Sequence, residues 1–136
     1  MLRRETKVRA RALQLLYAWE LRNRPPVESV MEKLRTGAGQ LPVGEAAASL
    51  AQRVAVHADD LDEKIGAAAE KWRVSRMGVV ELSILRLGLH ELLENDVPPR
   101  VVIDESVRLA KWFAGEKSPG FVNGVLDALA RRHGRL

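Results

Sequence analysis

Helical periodicity runs through almost the whole of this 136-residue chain. No stretch alternates apolar and polar residues convincingly at period two. Composition agrees: Thr6 and Thr36 are the only threonines, Tyr17 is the only tyrosine, and leucine and alanine dominate. That mix suits helices over strands. The length is that of one domain, able to bury roughly two thirds of its unfolded surface. An apolar fraction of 46% with 29% charged residues fits a globular protein and argues against a disordered, collagenous or membrane class.

The pattern predicts a first helix from about Arg4 to Arg22, closed off by Pro25-Pro26. A short helix follows over Val27–Arg35, then a loop from Thr36 to Pro42. Beyond Glu45, Leu50, Val54, His57, Leu61, Ala68 and Trp72 recur close to heptad spacing. They predict one long helix, or two that break near Asp59-Asp60, where an Asp could cap. Ser75 is placed to cap a helix from Arg76 to Glu94 that is apolar on most of its circumference, the mark of a buried central helix. Asn95 to Pro99 forms a connector, and Arg100–Phe113 the next helix. The last helix opens on Ser118-Pro119 and turns Phe121, Val122, Val125, Leu126 and Leu129 inward. The expected fold is a compact all-α bundle of six or seven helices.

Catalytic chemistry has little to draw on. The absence of cysteine excludes disulfides, thiolate-bound metals and a cysteine nucleophile, and it fits a reducing compartment such as the cytoplasm. The N-terminal MLRRETKVRA has no apolar core of a secretory signal, and no run is long enough to cross a bilayer. His57, His90 and His133 are far apart, outside any metal-binding helix motif; His57, on an apolar stripe, reads as a core or edge residue. The acidic run Asp59 to Glu63 lacks the glycine and distal glutamate of a calcium loop, and reads as a solvated helix start. Neither a glycine-rich nucleotide loop nor a G-x-S-x-G elbow is present. The expectation is a protein that is not an enzyme, with no cofactor and no metal.

Binding chemistry is better represented. The net charge of +4 divides unevenly: residues 1–24 hold seven basic and two acidic residues, and the last nine hold Arg131, Arg132 and Arg135 with no acid, over a mildly acidic middle. Sixteen of the twenty-two cations are arginine, whose planar fork suits phosphates and base edges. On the first helix Val8, Ala12, Leu15, Leu16 and Trp19 share an arc, with Arg4, Lys7, Arg11 and Arg22 in a stripe beside it. Arg3 and Arg9 lie elsewhere on the circumference, and Tyr17 points away from the arc. A tyrosine beside cations can stack on an unpaired base while the cations hold its backbone. An ordinary solvated face with a packed tyrosine fits the pattern equally well. Glu81 falls on an apolar side of the most buried helix and needs a partner. Either it pairs internally with Arg86 or Arg108, or it is kept for a partner molecule. Met77, Leu87, Trp72, Trp112 and Phe113 read as core.

Arg9-Ala10-Arg11-Ala12-Leu13-Gln14-Leu15-Leu16-Tyr17 resembles the arginine-rich N-terminal signature of the NusB family of bacterial transcription antitermination factors. The similarity continues through Glu81 to Leu87, Asp96-Val97-Pro98-Pro99, Val102 to Glu105 and Lys111-Trp112-Phe113. It ends on Phe121-Val122-Asn123-Gly124-Val125-Leu126-Asp127, the most specific of these motifs, while Val27 to Trp72 matches only in helical pattern. The resemblance implies two small helical subdomains, 1–72 and 73–136, in one RNA-binding domain. It implies binding of single-stranded boxA RNA together with a small-subunit ribosomal protein, the tenth, also called NusE. The pair would join an RNA polymerase complex with NusA and NusG and support ribosomal RNA synthesis. By motif position Arg3, Arg4, Arg9, Arg11 and Tyr17 would face RNA, with Lys7 in the same stripe. Glu81, Lys117, Ser118 and Phe121 would lie at the RNA and partner surface. Members often carry an acid where this chain has Lys117, and Asn where it has Asp104, here read as a helix-start acid.

Two alternatives accompany this expectation. A related helical domain precedes the catalytic domain of a ribosomal RNA cytosine methyltransferase family, which suggests an adaptor for RNA modification. The end of the chain at Leu136, with no cofactor-binding domain, counts against it. The other is a homodimeric interaction protein without an RNA role, its arginine-rich surface covered by self-association.

Overall fold

The computed structural model describes residues 3–36, 44–69 and 74–136. Among them are seven α-helices, one 3₁₀ turn and no strand. The chain divides into two compact units, Met1–Val56 and His57–Leu136. The division expected after Trp72 falls within residues 70–73, outside the described set. The observed one comes earlier because α4 (Ala58–Ala68) packs on α5 (Val79–Glu94) and α7 (Ser118–Arg132).

In the first unit α1 (Arg4–Leu21) packs against α2 (Val27–Thr36) and α3 (Glu45–Val56). Alanines 47, 48 and 51 are buried along α3, and their small side chains let helix axes approach closely. α1 ends one residue before the expected Arg22. Asn23 and Arg24 then take left-handed backbone conformations, φ 63° and 59°. That geometry costs a non-glycine residue about 1 kcal/mol. At Arg24 it is offset locally: the amide donates to Trp19 O at 2.9 Å, the guanidinium donates to both Glu20 oxygens at 3.0 and 3.1 Å, and it lies over the Trp19 ring at 5.0 Å. Thr36 belongs to α2, and the rest of the expected loop, residues 37–42, lies outside the described residues.

The second unit is built around α5, buried without interruption from Leu82 to Leu92, as its apolar circumference predicts. It packs against α4, α6 (Pro99–Phe113) and α7. Gly88 makes this possible, because a Cβ there would stand 2.9 Å from both Leu126 Cδ1 and Ser106 Oγ. Arg86 is only 1% exposed and grips Asp62 of α4 with two bonds, Nε at 2.6 Å and Nη2 at 2.7 Å. The fork-on-carboxylate geometry supplies the partner a buried cation requires.

Several boundaries differ from expectation. α3 and α4 are separate helices, and the break is at His57 rather than at an Asp cap; His57 is exposed, not core. Asp59 and Asp60 occupy the first turn of α4 as solvated acids, where the helix dipole favours them. Ser75 sits in the 3₁₀ turn Val74–Arg76, and Gly78 instead precedes α5. α5 closes on Asn95 at φ 60°, a residue that tolerates the left-handed cap. Because α6 begins at Pro99, Asp104 is in its second turn and is not a helix-start acid. Trp112 and Phe113 are 45% and 41% exposed, not core, and meet edge to face at 6.5 Å. Met77 and Phe121 are half-buried, and Trp72 lies outside the described residues.

Candidate functional site

The buried arc of α1 comprises Thr6, Arg9, Ala12, Leu13, Leu15, Leu16 and Trp19. At 100° per residue it spans about 180°, wider than the arc read from Val8 to Trp19. Arg9 lies inside it, only 7% exposed, and is engaged within the chain. The expectation that Arg9 faces outward is therefore corrected: Thr6 and Leu13 flank it on the helix, and all three turn inward.

The remaining basic residues keep an outward face. Arg3, Arg4 and Lys7 are exposed and Arg11 is half-buried; among the described residues none of their heads has a hydrogen-bond or ion-pair partner. Arg22 lies one residue past the helix. Tyr17 is 39% exposed and borders the opposite edge of the buried arc, about 80° around the helix from Lys7. Arg3 and Gln14 fall between them. The outward face thus runs from an aromatic edge to a cationic edge.

A second group forms in the other unit. The Ser118 hydroxyl donates toward Glu81 Oε2 at 2.7 Å and also lies 2.8 Å from the Ala114 carbonyl. Neither expected arginine partner of Glu81 is used: Arg86 holds Asp62, and Arg108 faces Glu105 at 3.6 Å. Glu81 is in the first turn of α5 and Ser118 is the first residue of α7, so the carboxylate has a helix N-terminus on each side, a favourable place for negative charge. Ser118 spends its hydroxyl on this contact instead of capping α7; Lys117 occupies the cap position. Gly115, at φ 93°, provides the turn that an L side chain would strain. Lys117 is exposed and Phe121 half-buried beside it, with the Phe121 amide 3.5 Å from the Lys117 carbonyl. Of the four residues expected at this surface, the structure brings Glu81 and Ser118 into contact, with Lys117 and Phe121 on the chain next to Ser118.

Sequence reasoning missed the exposed pair Trp112–Phe113. The signal was present for Trp112: it stands eleven, seven and four residues after Val101, Glu105 and Arg108, the face away from Val102, Ile103, Ser106 and Leu109. The Arg108 guanidinium lies 6.0 Å from its ring. No three His, Asp or Glu side chains among the described residues group as a metal site, and no described helix is long and apolar enough to cross a membrane.

Residues 6–131 match the profile of the NusB family. The chain belongs to the NusB family. It is 45% identical over 125 residues to the transcription antitermination protein NusB of Streptomyces griseus, covering 88% of this chain and 87% of that one. Among solved structures, NusB from Aquifex aeolicus in solution superposes with a TM-score of 0.81 at 31% identity, covering 97% of this chain and 90% of that chain. A chain from the crystal structure of the antitermination factors NusB and NusE in complex with double-stranded RNA gives 0.76 at 33% identity, over 97% and 99% of the two chains. The all-α architecture is that of the NusB structures, and the family is one of transcription factors, not enzymes.

Proposed function

We propose that this protein is a transcription antitermination factor that binds boxA-type single-stranded RNA together with the ribosomal protein NusE. The observation that carries this reading is the outward face of α1, whose cations have no partner among the described residues and which is bordered by an exposed tyrosine. Membership of the NusB family, and similarity to a chain crystallised with NusE and RNA, support the choice of ligand. Arg3, Arg4, Lys7 and Arg11 hold phosphates, and Tyr17 stacks on a base. Arg9 anchors the helix that presents them. Glu81, Lys117, Ser118 and Phe121 form the surface shared by RNA and NusE. The complex then joins RNA polymerase with NusA and NusG in the cytoplasm, where it supports ribosomal RNA synthesis.

Co-purification with NusE, followed by competition between boxA-like and scrambled RNA, tests the assignment; equal competition by the two removes the boxA preference. With four phosphates held, log affinity falls against log salt with a slope of roughly −3, at about −0.7 per contact. An anisotropy titration insensitive to salt overturns the electrostatic part of the reading.

A further inference from the structure

The outward face of α6 is apolar at both ends and charged between them. Val101 and Trp112 are exposed, while Val102, Ile103, Ser106, Leu109 and Ala110 of the same helix are buried. Glu105 and Arg108 lie between the two apolar residues. At 100° per residue the four fall within about 60° of one another, in a stripe about 17 Å long. Their spacing is symmetric. Val101 and Trp112 are equally far from the midpoint between Ser106 and Val107, and so are Glu105 and Arg108. The order is apolar, acid, base, apolar, which becomes its own complement when the helix is reversed. Asp104 and Lys111 repeat the pattern on one flank, about 20° apart around the helix. Both are exposed, and neither has a partner among the described residues. Arg108 is held only loosely within the chain. Its side chain is half exposed and 3.6 Å from Glu105, and its guanidinium is 6.0 Å from the Trp112 ring, at the outer limit of a cation–π contact.

We propose that this face docks a second copy of the chain, α6 lying antiparallel against α6 about a twofold axis. An isologous contact needs a surface that matches itself on reversal, and this one does. Trp112 of each copy covers Val101 of the other, and Glu105 meets Arg108 of the other. A twofold axis across the two helices keeps each flank on its own side. Asp104 therefore stands on the same flank as Lys111 of the other copy, about 3 Å away along the axis. The apolar ends exclude water from the charges between them, which strengthens those pairs. A parallel arrangement sets each charge against its like instead, which is unfavourable. Arg100, at the edge of the face, is a like-charge neighbour of Lys111 of the other copy and weakens the contact. No residue of α1 belongs to this face, which separates it from a dimer that covers the arginine-rich surface.

Sedimentation of the full chain from micromolar to millimolar concentration, without RNA or NusE, tests the contact. A concentration-dependent dimer is expected, and Trp112→Ser weakens it by roughly tenfold or more, as loss of a central aromatic anchor implies. Asp104→Lys and Lys111→Glu each weaken it by roughly tenfold, because they set like charges opposite one another. Both side chains are exposed, so neither change alters the melting temperature of the monomer. Mixed in equal amounts, these two variants regain a dimer, because each supplies the charge that the other lacks. Protein that is monomeric throughout overturns the proposal, as does a dimer indifferent to Trp112→Ser or a mixture that fails to recover. A dimer lost when Arg4, Lys7 and Arg11 become Gln, but kept in Trp112→Ser, places self-association on α1 and overturns it too. So does a monomeric parent whose co-purification with NusE is lost in Trp112→Ser, which assigns the face to NusE. None of these outcomes touches the reading of α1 as the RNA-binding helix.

Discussion

Residues 1–24 hold seven basic residues against two acidic ones, and the last nine residues hold three arginines and no acid, yet the two ends dispose of their charge differently. At the C-terminus every arginine has a hydrogen-bond partner within the chain. Arg131 pairs with Asp127 one turn earlier, at 2.9 Å, and that hydrogen bond raises the Arg131 pKa further above its already high ordinary value. Arg132 donates to Ala67 O at 3.3 Å and Arg135 to Leu93 O at 3.4 Å. Those carbonyls lie in the last turns of α4 and α5, where the helix dipole is negative and cations are favoured. At and just before the start of α1, by contrast, Arg3, Arg4, Lys7 and Arg11 reach no partner among the described residues. Net charge counts both groups alike. Only the N-terminal group is free of such partners among the described residues.

Replacing Arg3, Arg4, Lys7 and Arg11 together by Gln is the strongest way to break this contrast. RNA affinity is expected to fall by roughly a hundredfold or more at moderate salt, and the salt slope to approach zero, while the melting temperature stays within a few degrees. A large loss of stability would show that these cations are structural after all. Tyr17→Ala sharpens the same face, with an expected loss of about 1–3 kcal/mol in RNA binding and an unchanged salt slope, because no charge is removed. Unchanged affinity returns Tyr17 to a packing role. The opposite signature belongs to the C-terminus. Replacing Arg131, Arg132 and Arg135 by Gln is expected to lower the melting temperature modestly, since these contacts are largely solvent-screened, with RNA affinity nearly intact. If RNA binding falls as far as in the α1 variant, the two ends are equivalent and the contrast fails.

Much of this architecture is legible in the residues. Proline pairs, the left-handed Asn95 and the unbroken apolar run of α5 mark elements whose ends and burial follow from local chemistry. What periodicity leaves open is which neighbour a side chain finds. Glu81 is visibly in need of a partner, but that partner is a serine 37 residues away, and the nearby Arg86 is already taken by Asp62, 24 residues back. Arg9 misleads for another reason. Its long stem can be buried like an apolar side chain when its head is engaged, so charge type alone places it outside, whereas Thr6 and Leu13 beside it show that the face is turned inward. The N-terminal and closing motifs carry the family resemblance, while the burial of Arg9 and the pairing of Glu81 with Ser118 come only from the geometry.

The distinction between committed and available charge extends to a smaller case at the start of α4. Lys64 donates to Asp60 at 2.6 Å, and that hydrogen bond, aided by the positive charges of Lys64 and His57, holds the Asp60 carboxyl below its ordinary value of 3.8. A carboxyl with a depressed folded pKa contributes stability that is present above its unfolded pKa and is lost as the pH falls through the folded one. The effect is therefore confined to pH below about 4 and leaves RNA binding at neutral pH untouched. A carbon-detected titration is expected to place the Asp60 midpoint below 3.8, and Lys64→Gln to move it back toward the ordinary value. A midpoint that does not respond to Lys64→Gln would make this an exposed pair without thermodynamic consequence, since solvent screens such contacts heavily. A committed charge is then one whose removal its partner registers, a standard the arginines of α7 must meet as well.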